Sequence, residues 1–218
     1  MKNAALPAKL AIVKTLLVIA LLFAHCAYAG AAIEGKVKLP AARGPAVTAR
    51  YQTAVPAGPP DPPAAVVYLE GKGIATETNA VLEVGQKKYQ FTPGLLPIQK
   101  GTMVKFPNHD DDYHNVFSVS KSKRFDLGKY RKDEEPATQK FDQAGAVKLF
   151  CDIHAHMRGT ILVLETPYFV KTQKDGSYRL TDLPAGSYTL KAWVDEKVFE
   201  KPVELKNGET LKVDFTGK

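Results

Sequence analysis

Cys151, His154 and Met157 stand in the spacing C-x2-H-x2-M, inside the stretch FCDIHAHMRG at residues 150–159. A thiolate is a soft donor, an imidazole is intermediate and a thioether is weak and soft. Such spacing suits a tight loop between two strands, where all three side chains can turn toward one point. A second imidazole must come from elsewhere in the fold. His114, which opens the run His114-Asn115-Val116-Phe117 after a polar loop, is the candidate. Two imidazoles, one thiolate and a distant thioether make the donor set of electron-transfer copper sites. Structural zinc usually takes more than one cysteine, and a thioether serves it poorly. A thiolate beside an imidazole can also act as a nucleophile, but the sequence shows neither an oxyanion site nor a third orienting group.

The rest of the chain is nearly free of thiols. It has 218 residues and two cysteines, Cys26 and Cys151. Lys2, Lys9 and Lys14 precede an apolar run at 16–24, and Ala27-Tyr28-Ala29 follows. This is the pattern of a cleaved secretory signal peptide at 1–29. A membrane anchor is the alternative, but the run is shorter than the roughly 20 residues that a spanning helix needs. Cleavage after Ala29 would remove Cys26 and leave a periplasmic or secreted protein with no membrane segment. Thiols in oxidising compartments normally pair. A lone Cys151 is then expected to be buried, reactive, paired between chains or bound to metal.

Composition narrows the partners. The net charge is +7, and loss of Lys2, Lys9 and Lys14 would lower it by three, to +4. That is too weak to argue for nucleic acid, and no Lys/Arg stripe with interleaved aromatics is visible. Lys121, Lys123, Arg124, Lys129, Arg131 and Lys132 do cluster. Asp133, Glu134 and Glu135 follow at once, so the cluster reads as a solvated loop.

Short runs separated by turn residues dominate after residue 29, which predicts an all-β fold. Strands are expected at 33–39, 64–69, 80–84, 88–91, 95–98, 102–106, 115–119, 138–141, 147–151 and 160–164. Five more are expected at 168–172, 177–180, 188–194, 203–206 and 210–215, and the Pro-rich stretch 40–63 reads as a long loop. Asp175-Gly176 and Asn207-Gly208 predict hairpins. Trp193 reads as sandwich core, grouped with Tyr188 and Leu190. Segments 30–75 and 167–218 are each small for an independent core without disulfides. Together they would make one β sandwich interrupted by a second domain at 76–166. The alternative is two sequential domains, 30–166 and 167–218.

Residues 80–165 resemble the cupredoxins, the small copper carriers of the plastocyanin and amicyanin type. The shared pattern runs through Phe91-Thr92-Pro93, the strand at 100–106, His114-Asn115-Val116, Ala144-Gly145, Phe150-Cys151 and Met157-Arg158-Gly159. The resemblance implies a Greek-key β sandwich holding one type 1 copper. His114, Cys151 and His154 would be the strong ligands and Met157 the long axial one. Asn115 would tie the loops together and offer its backbone N–H to the thiolate. The resemblance further implies an exported electron carrier, not an enzyme. The ring edge of His154 would lie at the surface among Pro107, Ile153 and Ala155, facing a cytochrome c or a periplasmic oxidoreductase.

Two features depart from the pattern. His156 lies between His154 and Met157, and His109 with Asp110, Asp111 and Asp112 crowds the approach to His114. The aspartates read as a polar loop. If His156 or an aspartate displaced Met157, the site would become harder and its potential lower. His109 and His156 would be accessory metal residues in the alternative reading, a periplasmic copper carrier or buffer without redox turnover. Residues 172–190 resemble a carboxypeptidase regulatory-like, transthyretin-type sandwich, a small Ig-like fold that implies no active residues.

Overall fold

A computed structural model describes residues 30–41, 61–135 and 138–216. The expected signal segment and most of the Pro-rich loop lie outside the described residues. Among the described residues there are strands and no helix, in agreement with the all-β expectation. In chain order the strands are β1 (Ala31–Lys36), β2 (Val66–Glu70), β3 (Val81–Glu83), β4 (Gly85–Lys87), β5 (Gln90–Thr92) and β6 (Leu95–Gln99). Next come β7 (Met103–Lys105), β8 (His114–Ser120), β9 (Lys123–Tyr130), β10 (Thr138–Lys140), β11 (Gly145–Phe150) and β12 (Arg158–Leu164). The last are β13 (Phe169–Lys171), β14 (Ser177–Leu183), β15 (Gly186–Val194), β16 (Lys197–Leu205) and β17 (Thr210–Lys212).

Two sheets join the ends of the chain. β1 lies between antiparallel β14 and parallel β17. β2 lies between antiparallel β13 and β15, and β16 flanks β15. Ile33, Val67, Leu69, Leu183, Leu190 and Leu205 fill the core they enclose. The middle of the chain builds a five-stranded sheet in the order β6-β12-β11-β8-β9, a three-stranded sheet β10-β7-β3 and the hairpin β4-β5. Its core holds Phe91, Ile98, Phe106, Phe141, Leu149 and Ile161, and it includes Cys151 and Met157. Fully burying one such aliphatic or aromatic side chain stabilises the fold by about 1.5–3 kcal/mol.

Strand alternation couples the two cores, because successive side chains point to opposite faces. On β12, Ile161 and Val163 enter the central core while Leu162 and Leu164 face away. On β2, Val67 and Leu69 enter the terminal core while Val66 and Tyr68 face away. These outward faces meet in a third cluster closed by Trp193. Trp193 is therefore on the face of β15 opposite Leu190, Ala192 and Val194, which corrects its grouping with Leu190. The backbone is tied at the same place: Thr76 N–H donates to Glu165 O at 2.9 Å and Lys100 N–H to Leu164 O at 2.7 Å.

Other local expectations are corrected too. The basic cluster is only in part a loop: Lys123, Arg124 and Lys129 lie on β9, an edge strand paired with β8, while Lys121, Arg131 and Lys132 lie just beyond its ends. Phe125 and Leu127 alternate inward between its charged residues and pack on the central core; the charges hid that pattern. Lys88 and Tyr89, expected in a strand, form the two-residue turn between β4 and β5 with φ of 54° and 58°. Both values suit a type I′ hairpin turn. Asp175-Gly176 and Asn207-Gly208 do turn the chain, but neither makes a hairpin. β13 and β14 part into different sheets, as do β16 and β17. A turn residue fixes a local reversal, whereas the core on each side decides the pairing. The long β15–β16 hairpin turns instead at Asp195 and Glu196, with φ of 46° and 69°.

Candidate metal centre

The last register pair of β11 and β12 is Phe150 with Arg158. Residues 151–157 are thus the closing loop of that hairpin, and they carry Cys151, His154 and Met157. Met157 N–H donates to His154 O at 2.9 Å, which folds the loop back on itself. His114 is the first residue of β8, and β8 pairs with β11 through Phe117 and Phe150. That pairing carries His114 across 40 residues of sequence to His154, with the two Nδ1 atoms 3.0 Å apart. Cys151 Sγ lies 3.8 Å from His154 Nδ1. One ligand atom from each of His114, Cys151 and His154 falls within 4.8 Å of the others.

The spacing can be compared with coordination geometry. Metal–nitrogen bonds of about 2.0–2.1 Å and a metal–sulfur bond of about 2.3 Å, set at tetrahedral angles, hold nitrogen pairs about 3.3 Å apart and nitrogen–sulfur pairs about 3.6 Å apart. The His114–His154 and Cys151–His154 separations are within a few tenths of an ångström of these values. The donors are also dry: His114 is 0% exposed, Cys151 4%, His154 5% and Met157 0%.

Electrostatics favour the ligand forms of Cys151 and His154, and the protonated form of His114. Burial pushes the Cys151 thiol up, but His114 and the backbone amides of Asn115, His154 and Ile153 outweigh it and hold the thiol below its ordinary value. Burial pushes His114 down, yet Cys151 and Asp110 outweigh it and hold the ring above its ordinary value. Burial, then the charge of His114, lowers His154. A thiolate stabilised by backbone N–H groups beside a neutral imidazole is a ready metal ligand pair.

The outer residues are placed as follows. Asn115 Oδ1 accepts from Asp152 N–H at 3.2 Å, and its Nδ2 donates to Asp126 Oδ1 at 2.7 Å. It therefore bridges the Cys151 loop to β9. His156 is half-buried, its ring centre 6.0 Å from that of His154, and its buried Nε2 has no hydrogen-bond partner among the described residues. His109 is exposed and faces Glu83 at 3.6 Å. Neither joins the His114–Cys151–His154 group. Contrary to expectation, the His154 ring is not at the surface. Tyr89 packs edge-on against it at 4.9 Å, and Asp112 Oδ2 lies 3.9 Å from its Nε2. Ile153 is 40% exposed and Ala155 is exposed, while Pro107 is half-buried.

On sequence, Asp110 reads as part of a polar loop crowding His114 and Tyr89 as part of a strand, with no role for either at the His114 and His154 rings. Asp110 Oδ2 lies 2.9 Å from His114 Nε2, and Tyr89 packs edge-on against both histidine rings. Asp110 stands four residues before His114, a signal masked by the two further aspartates beside it.

Residues 78–164 match the copper binding proteins of the plastocyanin/azurin family. That segment has the Greek-key β fold of the cupredoxins. The matched family binds copper, and the matched segment presents a His–Cys–His group that could hold one metal ion. Similar solved structures include amicyanin from Paracoccus versutus, 25% identical over 45% of this chain and 97% of that one, with a TM-score of 0.35. A purple cupredoxin from Nitrosopumilus maritimus is 23% identical over 39% of this chain and 100% of that one, with a TM-score of 0.34. A copper-containing nitrite reductase from Thermus scotoductus is 27% identical, with a TM-score of 0.37. The match covers 45% of this chain and a quarter, 25%, of the reductase. No curated protein sequence matches the chain. Among the described residues no helix is long and apolar enough to cross a membrane.

Proposed function

We propose that the protein is an exported electron carrier with one type 1 copper in its cupredoxin domain. His114, Cys151 and His154 are the strong ligands and Met157 is the long axial donor. The carrying observation is the buried His–Cys–His group, with its donor atoms at near-coordination spacing. Bound copper would supply a one-electron couple between its +1 and +2 states. The chain supplies rigidity: His114 is fixed at a strand start, Cys151 follows a strand end and Met157 is fully buried. Donors locked by packing move little between redox states. On this reading the protein carries electrons and is not an enzyme.

The partner is a redox protein such as a cytochrome c or a periplasmic oxidoreductase. It would meet the end of the domain where Tyr113 and Ile153 are exposed, in a small and short-lived contact. Export rests on the pattern at residues 1–29. We also propose that segments 30–75 and 167–218 form one transthyretin-type sandwich, with the cupredoxin at 76–166 inserted into it. The pairing of β1 and β2 with strands beyond residue 167 supports this.

The test is repeated redox cycling of the copper-loaded protein, followed by exposure to a Cu(I)-binding acceptor. Cycling with full metal retention and electron delivery to a cytochrome c is expected. Irreversible reduction with prompt release of copper to the acceptor would replace this reading with a copper carrier.

A further inference from the structure

We propose that Asp110 is a positioning residue, which fixes His114 as an Nδ1 donor and adds negative charge to the site through the His114 ring. The inference rests on the copper reading for its electrochemical part and on geometry alone for its tautomer part.

An ionised carboxylate only accepts hydrogen bonds. With Asp110 Oδ2 at 2.9 Å, His114 must therefore carry its proton on Nε2. Its Nδ1 is left with a free lone pair, aimed at His154 Nδ1. The carboxylate is itself held. Lys88 N–H donates to Oδ1 at 2.6 Å and Tyr89 N–H to Oδ2 at 2.9 Å. Both amides come from the left-handed turn between β4 and β5, which points successive N–H groups the same way. Asp110 N–H donates to Asn108 Oδ1 at 2.9 Å. Asn108 Nδ2 donates to Asp112 O at 2.8 Å and to Tyr130 O at 3.0 Å. Tyr130 is the β9 register partner of His114, so the support returns to the strand pair that holds the ligand.

The three aspartates are not equivalent. The Asp110 side chain is 12% exposed, whereas Asp111 is 87% exposed and pairs with Lys132. Asp112 Oδ2 is 3.9 Å from His154 Nε2, beyond hydrogen-bond distance. Among the three aspartates, a direct hydrogen bond to a ligand ring is thus made at His114 by Asp110. A charge-assisted bond at a buried imidazole raises its basicity and fixes its orientation. The added negative charge favours Cu(II) over Cu(I).

The test has two arms, both on the full chain. In the metal-free protein, nitrogen-15 NMR above the pKa of the imidazole should show His114 protonated on Nε2. A proton on Nδ1 would overturn the proposal, whether or not the chain binds copper. In the copper-loaded protein, Asp110→Asn keeps an acceptor but removes the charge. Its Cu(II) affinity should fall about 10–100-fold, its Cu(I) affinity should fall less, and the midpoint potential should rise. Asp111→Asn should move neither. Equal affinities and an equal potential for Asp110→Asn and the parent protein would overturn the tuning role. Failure of the parent protein to bind copper would sink the copper reading and leave the tautomer result to decide on Asp110.

Discussion

The Nδ1 atoms of His114 and His154 face each other at 3.0 Å, and Cys151 Sγ stands 3.8 Å from the second of them. Two imidazole lone pairs do not meet in a dry core unless a proton or a cation lies between them. With Asp110 accepting from Nε2 of His114, the facing atom of that ring is an acceptor. His154 can meet that acceptor with an Nδ1 proton or share a cation with it, and the flanking thiolate suits a soft cation.

Replacing the sulfur isolates its role. Cys151→Ser should abolish the intense visible charge-transfer absorption of the Cu(II) form, because the band belongs to a thiolate. The variant should still fold, losing about 1–3 kcal/mol for a buried hydroxyl with incomplete hydrogen bonding. Urea denaturation of the metal-free protein checks the fold, and absorption after Cu(II) addition checks the ligand.

The packing role of Met157 and the axial role proposed for it can be separated. It is fully buried in the central core. Met157→Leu keeps the volume and should cost less than about 1.5 kcal/mol. Met157→Ala leaves a cavity and should cost about 2–5 kcal/mol. If the thioether is the axial donor, both variants should change the copper spectrum alike while differing in stability. Denaturant titration and spectra of the pair measure this.

The cluster around Trp193 links the sheets built from both ends of the chain to the central β segment through Val66, Tyr68, Leu162 and Leu164. Trp193→Ala should lower stability by about 3–5 kcal/mol. It should also split a single thermal transition into two, because the apolar contact that makes the cores unfold together is lost. A calorimetric scan distinguishes the two shapes.

Asp175 gives a pH dependence remote from the metal. Ser177, through its hydroxyl and its amide, and then Lys36 hold the Asp175 carboxyl far below the usual range. A depressed carboxyl contributes stability above its unfolded pKa of about 3.9 and loses it as pH falls toward the folded value. The stability gap between the parent protein and Asp175→Asn should be constant from about pH 7 to pH 5 and should shrink below about pH 4. Urea midpoints across that range check it.

Much of this architecture was legible in the chain, and the failures share a cause. The C-x2-H-x2-M spacing announced the tight turn between β11 and β12 that brings Cys151 and His154 together. His114 was legible because its strand start stood beside a run that alternates like a buried strand. Asp110 was not, because its partner lies across the start of a strand and its anchoring amides come from Lys88 and Tyr89, residues that read as strand. The Asp175-Gly176 and Asn207-Gly208 turns were legible as turns. Their strand partners were not, because pairing is set by cores assembled from both ends of the chain. Trp193 was assigned to the wrong face because a single position in β15 reverses which side a side chain takes.

The most direct test of the central claim is the optical and electron paramagnetic spectrum of the purified chain after one equivalent of Cu(II). The account predicts one copper per chain, an intense visible thiolate band and unusually small copper hyperfine splitting, all lost in Cys151→Ser. A nearly colourless complex with the wide splitting of ordinary tetragonal Cu(II), unchanged in Cys151→Ser, would contradict it.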